Sequence, residues 1–484
     1  MEEAPVATVR GSIVLALSAG MGLSACAVGP NYTPPEPPQA RAFLNGPAAA
    51  ERVAERPAPD LKTWWTGFGD PELSSLVARA LDQNLDLAQA EARLVQARAQ
   101  ARSAGAALLP SGQGTGQAEY QRQSLDSPDG RIDSTFPGYS RNQQLYDLGA
   151  NASWEVDVFG GLRRSAQAAR AQYQASAAAR AAARLAVAAE TADAYVQVRA
   201  LQSRLAVTEG EAQTQAKLAK LVSLQFERGV ASRLQRNQAD GARAGADATV
   251  PALKAALEAE TLALEVMVGV APGALHAELA APARAPSPPA IDTAGGPASL
   301  LRRRPDIIAA ERKLAAADAR IGAALSDYYP KVTLSGVLGY EATDTGQLIG
   351  PAAFQPQGVV GVRWRLFDFG RVDAEVAAAR GARAEALAAY RQSVLKATAD
   401  VETALSALVR SEEQAKVLGA GEAYLSRARD AAQAAYLSGH VSLIDVLDAD
   451  DRLLSVRDKR VQAEAAATRA AISAFEALGG GWDG

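Results

Sequence analysis

The stretch YDLGANASWEVDV, residues 146–158, alternates along its length: Tyr146, Leu148, Ala150, Ala152, Trp154, Val156 and Val158 are apolar, and the positions between them include Asp147, Asn151, Ser153, Glu155 and Asp157. A period of two marks a strand with one apolar and one polar face. At about 3.4 Å per residue the run would extend roughly 40 Å, longer than an ordinary soluble strand and enough for a tilted path across a bilayer. A second stretch, VVGVRWRLFD (359–368), sets Val360, Val362, Trp364 and Leu366 against Gly361, Arg363 and Arg365, and VTLSGVLGY (332–340) alternates more loosely. The glycine-rich residues 111–123 are the expected partner of the first run. The strands therefore form two hairpins, 111–158 and 331–368.

Aromatic residues are 5% of the chain, yet Tyr120, Tyr139, Tyr146, Trp154, Phe159, Tyr328, Tyr329, Tyr340, Trp364, Phe367 and Phe369 lie in or beside these runs. Aromatic girdles at membrane interfaces account for that concentration. Lipid cannot satisfy an open strand edge, so membrane strands must close into a barrel. Four strands per chain cannot close alone, and a barrel of about eight is filled by its own side chains. Three copies give twelve strands and a water-filled bore, with Glu155, Asp157, Arg363 and Arg365 on the strands' polar faces as its lining.

The chain also repeats itself. WEVDVFGG (154–161) matches WRLFDFGR (364–371), and FERGVASRL (226–234) matches YLSGHVSLI (436–444), both at a spacing of 210 (364 − 154 and 436 − 226). NLDLAQAEARL (84–94) matches RPDIIAAERKL (304–314), and Pro110 matches Pro330, at a spacing of 220 (304 − 84 and 330 − 110). The expected organisation is a first repeat at 61–280, a Pro/Gly-rich linker at 281–298, a second repeat at 299–478 and a tail at 479–484. In each repeat a helical run precedes the hairpin, the second from Pro305 to about Asp327. An alanine-rich helix follows, from about Arg163 to Phe226 and from about Val372 to Tyr436. At 1.5 Å per residue each would reach on the order of 95 Å, turning at Gly229 or Gly439 and returning with a coiled-coil-like seam through Leu443, Val446, Leu447, Leu453 and Leu454. The fold class is mainly α with membrane β: a trimeric twelve-stranded barrel continuous with a long helical coiled-coil barrel.

Net charge is −4 with pI near 5.6, which argues against a nucleic-acid surface. No run after residue 26 approaches the roughly 20 apolar residues of a spanning helix. Two histidines, His276 by the linker and His440 at a turn, with one cysteine and no phosphate-cradling glycine loop, assemble no catalytic constellation and no metal site. That cysteine, Cys26, ends an apolar leader (GSIVLALSAGMG, 11–22) in the tetrad Leu23-Ser24-Ala25-Cys26. The tetrad resembles a bacterial lipobox, which implies removal of residues 1–25 as a signal peptide and acylation of Cys26. Ala27 after it implies, by the same resemblance, sorting to the outer membrane. Residues 26–60 then read as a lipid-anchored, extended, proline-stiffened segment.

Six motifs in order, CAVGPNYTPP, WWTGFGDPELSSLVARAL, LLRRRPDIIAAERKLAAADARIGAALSDYYPKVTLSG, WRLFDFGR, SGHVSLIDVLDADDRLL and ALGGGW, resemble the outer-membrane factors, the TolC-like, NodT-type lipoproteins of tripartite efflux systems. The resemblance implies a homotrimer in the outer membrane, projecting into the periplasm and joined through a periplasmic adaptor to an inner-membrane transporter of RND type. It implies no cofactor beyond the lipid on Cys26. Carried over residue by residue, Ile444 and Asp448 match the constricting periplasmic gate, with Leu234 and Gln238 at the repeat-related positions. Gly229-Val230 and Gly439-His440 match the tips that meet the adaptor, although His440 stands where the family has a small apolar residue. A ring of three Asp448 carboxylates around a narrow axis would bind cations. A duct for protein secretion and a pore-less periplasmic coiled-coil scaffold are the alternative readings.

Overall fold

The computed structural model describes residues 27–36, 42–52 and 56–482. The chain forms two compact units. The first gathers residues up to Pro35 with Val95–Ala175 and Glu311–Ala388, and the second gathers Glu36–Leu94, Ser176–Ala310 and the chain from Ala389 onward.

The first unit carries a single antiparallel sheet of β1 (Ser111–Arg122), β2 (Asn142–Val156), β3 (Lys331–Ala342) and β4 (Phe354–Arg363), in the order β1-β2-β3-β4. Two hairpins from opposite halves of the sequence are thus joined by the β2–β3 pairing, which runs from Tyr146 opposite Ala342 to Val156 opposite Val332. β1 and β4 are left as bare, solvent-exposed edges.

The helices reproduce the duplication. α1 (Pro71–Gln83) and α2 (Leu85–Ala106) precede β1, α3 (Gly161–Glu227) follows β2, and α4 (Arg233–Val268) returns. α5 (Gly296–Arg303), α6 (Pro305–Ser326), α7 (Arg371–Leu437) and α8 (Leu443–Ala477) follow the same plan around β3 and β4. α3 and α7 are both 67 residues long, and α2 and α6 are both 22. Equal lengths at the repeat spacing show that the matched motifs mark matched boundaries. Asp70 starts α1 by accepting hydrogen bonds from the amides of Glu72 and Leu73, and Pro71 occupies a position whose N–H would be orphaned.

An aromatic nest anchors the second unit. Trp64 is fully buried, stacked on Phe475 at 5.6 Å and edge-on to Phe68 and Trp65. Beside it, Arg199, also fully buried, pairs with Glu72 and donates to Gln202 and the Ala281 carbonyl. A buried guanidinium held through both terminal nitrogens locks the helices it joins, whereas removing one partner would strand a charge.

Three expectations need correction. β4 stops at Arg363 and not at residue 368, because Arg363 lies opposite Lys331, the first residue of β3, and the residue before it is Pro330, which has no N–H to give. β2 stops at Val156. Residues 26–60 are not a uniformly extended tether: Gly46–Ala50 is helical, and residues 28–31 are held in place.

Candidate functional site

Register sorts the sheet's side chains into two faces. Residues directly opposite one another share a face. Leu148 lies opposite Gly116 and Tyr340, Trp154 opposite Leu334, Val156 opposite Val332, and on β4 Val360 and Val362 complete the row. This face carries one charge, Arg122, at the end of β1. The other face carries Glu119, Asp147, Glu155, Lys331, Glu341 and Arg363 among Gln, Ser and Thr. One side therefore suits hydrocarbon and the other suits water. No helix among the described residues is long and apolar enough to cross a membrane.

Of the four residues read as lining the bore, Glu155 and Arg363 lie on this polar face. Asp157 and Arg365 do not lie on strands. Asp157 accepts hydrogen bonds from the amides of Leu162 and Arg163 at 3.0 and 2.8 Å and pairs with the Arg163 guanidinium, so it caps the start of α3. Arg365 lies beyond β4, within 3.8 Å of Glu375. An acid just before a helix satisfies orphan amides, and that local demand overrides the alternation.

The strand ends are tied to the helices by repeat-related bonds. Trp154 Nε1 donates to the Leu108 carbonyl at 2.9 Å, and Trp364 Nε1 donates to the Tyr328 carbonyl at 3.0 Å. The N-terminal segment docks here. Arg164, buried, donates to the carbonyls of Val28 and Gly29 and to the Asn31 side chain. Val28 N–H donates to the Phe159 carbonyl, and Ala27 sits against Gly160, where a Cβ would come within 2.8 Å of Ala27 Cβ. Cys26 itself lies outside the described residues.

In the second unit, the helical hairpins α3–α4 and α7–α8 turn at Gly229 (φ +74) and Gly439 (φ +78), left-handed positions that glycine adopts without a Cβ penalty. The Val230 amide closes on the Gln225 carbonyl and the His440 amide on the Ala435 carbonyl, both at 2.8 Å. Ser232 and Ser442 then start the returning helices, with capping bonds to Gln235 and Asp445. Leu218, Ala219, Val222, Ala239, Leu443 and Val446 form a buried cluster beneath the turns, and Tyr436 Oη donates to Gln225 Oε1 at 2.9 Å. Val230 and His440 are exposed on the turns themselves.

The four residues matched to the gate are placed as two pairs one helical turn apart. Leu234 and Ile444 are exposed, and Gln238 is half-buried. Asp448 is exposed and pairs with Arg452 on the next turn at 2.9 Å. A single chain brings none of them into a constriction.

A residue absent from the sequence reading is Asp450, buried at 2% exposure on α8. Burial pushes its carboxyl up to about 6, Glu211 on α3 adds to the shift, and Arg429 on α7 and a hydrogen bond from Gln215 oppose it. Burial likewise pushes Glu476 up to about 7, with Glu190 nearby.

The family model described as outer membrane efflux protein matches residues 76–270 and again residues 296–480. The chain belongs to that family. Outer membrane efflux proteins are channels, and the doubled match coincides with the two repeats. Among curated relatives, the pyoverdine export outer membrane protein OpmQ of Pseudomonas putida is 32% identical over 88% of this chain and 89% of its own. Nodulation protein T of Rhizobium leguminosarum bv. viciae is 30% identical over 90% of this chain and 86% of its own. The toluene efflux pump outer membrane protein TtgC of Pseudomonas putida is 29% identical over 95% and 93%. Among solved structures, the outer-membrane channel OprN superposes with a TM-score of 0.85 at 32% identity, covering 94% of this chain and all of that one. The open state of the Neisseria gonorrhoeae MtrE channel gives 0.80 at 25%, covering 94% and 98%. The protein is thus a TolC-like outer-membrane efflux channel, built to assemble as a trimeric barrel.

Proposed function

We propose that three copies form a lipid-anchored passive exit duct, joined by a periplasmic adaptor to an RND-type inner-membrane transporter that supplies the energy and selects the cargo, small molecules or ions. The observation that carries this reading is the sheet: four strands with one apolar face, one charged face and two bare edges, a form that lipid tolerates only when closed by further copies. Relatives named for pyoverdine export and for toluene efflux fit a duct whose cargo is chosen upstream. The position of Ala27 at the base of β2 supports acylation at Cys26, since the residue beside it already lies where the strands end. The exposed Val230 and His440 at the tips are the surface offered to the adaptor, and Ile444 and Asp448, on α8 just above, are the gate.

Planar-bilayer recording of purified trimers tests the duct and the gate together. Conductance is expected, and Asp448→Ala should raise it or remove block by divalent cations. A protein that never conducts rejects the duct. Conducting channels with currents unchanged by the substitution reject the gate assignment alone.

A further inference from the structure

Where α8 ends and α6 begins, the second unit holds a cavity of about 570 Å³ walled by α3, α6, α7 and α8. Its walls are largely apolar, with Leu185 and Ala186 from α3, Ala404 and Ala407 from α7, and Ala470 and Ala477 from α8. Four charged side chains enter it: Arg304, Asp306, Asp400 and Glu476. Phe475 stacks on Trp64, and Ser473 and Ala477, each two residues away, lie about 200° around α8 from it. The cavity therefore lies on the side of α8 turned away from the aromatic nest.

The charges in this cavity do not balance. One guanidinium meets three carboxylates, and it is already engaged: Arg304 pairs with Asp306 at 2.8 Å and with Asp400 at 3.1 Å, and donates to the Ala477 carbonyl at 3.3 Å. The Glu476 carboxylate is half-buried and accepts no hydrogen bond from a described residue. Glu190 and Asp193 on α3 and Asp400 on α7 oppose its ionisation, while Arg304 on α6 favours it. Asp193 is itself paired with Arg469 of α8 at 2.6 Å. A carboxylate so placed carries its charge at little cost when a further cation comes to it. We propose that this cavity binds organic cations, amphipathic amines or onium ions whose apolar body rests on the alanine walls and whose charge lies beside Glu476 and Asp400. The site is complete within one chain, and the duct reading supplies only the route by which a cation arrives.

Two observations narrow the ligand and its count. An inorganic ion finds poor ligands here: Asp306 and Asp400 already hold Arg304, and no group of three acidic, histidine or cysteine side chains among the described residues is placed to hold a metal ion. Apolar walls with a few convergent charges suit instead a molecule with hydrocarbon surface and one positive centre. The duplication sets the number of sites. At the spacing of 210 (400 − 190 and 476 − 266), Asp400 falls on Glu190, but Glu476 falls on Val266. The other repeat thus lacks the second carboxylate, and each chain should carry one site.

Equilibrium dialysis of tetraphenylphosphonium against the full-length protein purified in detergent, with empty micelles subtracted, tests the site. Tetraphenylborate, of the same shape and opposite charge, is the control. One saturable phosphonium site per chain is expected, and none for the borate. Because burial pushes Glu476 up to about 7, affinity should rise about five- to tenfold from pH 6 to pH 8 as the carboxylate ionises. Glu476→Gln should bind at least about tenfold more weakly at pH 8 and lose that pH dependence. Ala407→Trp, at an exposed position of the wall, should fill the cavity and abolish saturable binding in trimers that native mass spectrometry shows to be intact. If Glu476→Gln fails to assemble, the parent's pH profile and the contrast between the two ions still decide. Equal saturable uptake of both ions, a flat pH profile, or undiminished binding by Ala407→Trp overturns the site. Conductance without phosphonium binding rejects the site and leaves the duct standing, whereas binding by a protein that never conducts keeps the site and rejects the duct.

Discussion

Replacing Asp450 by asparagine removes a buried charge without changing side-chain volume. Burial and Glu211 lift the Asp450 carboxyl from 3.8 to about 6, a difference worth about 3 kcal/mol between the protonated and ionised forms. The sign follows from which form the fold prefers. The folded tip holds the proton more tightly than the opened tip, so this residue favours the closed tip most below about pH 4. That contribution falls as pH rises toward 6 and levels off above it. Hydrogen exchange by mass spectrometry on peptides covering residues 211–222 and 443–453, corrected for the pH dependence of chemical exchange, measures the opening. Protection in the parent should fall by about 100-fold between pH 4 and pH 7. Asp450→Asn should flatten the profile and raise protection at pH 7 toward the level seen at pH 4. A parent profile that is already flat, or a variant that keeps the parent's slope, would refute the assignment of the titration to Asp450.

Two further substitutions probe the neighbouring features. Leu443→Ala empties a fully buried position in the cluster beneath the turns, and a loss of about 2–5 kcal/mol should appear as faster exchange at the tips, with the strand peptides unchanged. Arg164→Ala removes the donors to Val28, Gly29 and Asn31, and should expose residues 27–33 to added protease while the detergent-solubilised trimer stays intact.

Much of this architecture was legible because its periodicities are long and its punctuation strong. Alternation from Tyr146 to Val156 follows from the two-sided solvent of β2, and Pro305, Gly229 and Gly439 mark helix ends at which the backbone leaves little choice. The repeat spacing carried the boundaries of one half onto the other. The misreadings arose where two demands met on one residue. Asp157 continues the alternation of β2, yet the orphan amides of α3 claim its carboxylate. Arg365 continues the alternation of β4, yet its strand lacks a neighbour within the chain. Asp450 could not be singled out from DVLDADD, since its burial depends on Glu211 and Gln215 on α3, more than two hundred positions away. The gate residues were named through resemblance, and one protomer leaves them apart from any axis.

The inequality between the two kinds of seam bears on biogenesis. β2 and β3 find each other on a single polypeptide, a first-order event, whereas β4 must meet another molecule's β1, so closure depends steeply on how many protomers share a membrane patch. Slow insertion at low copy number would leave protomers waiting with a glycine-rich edge unguarded, and rapid overproduction would bring such edges together before lipid covers the apolar face. Yield of the mature channel should therefore pass through a maximum as synthesis is increased, with aggregates bridged along β1 and β4 beyond it.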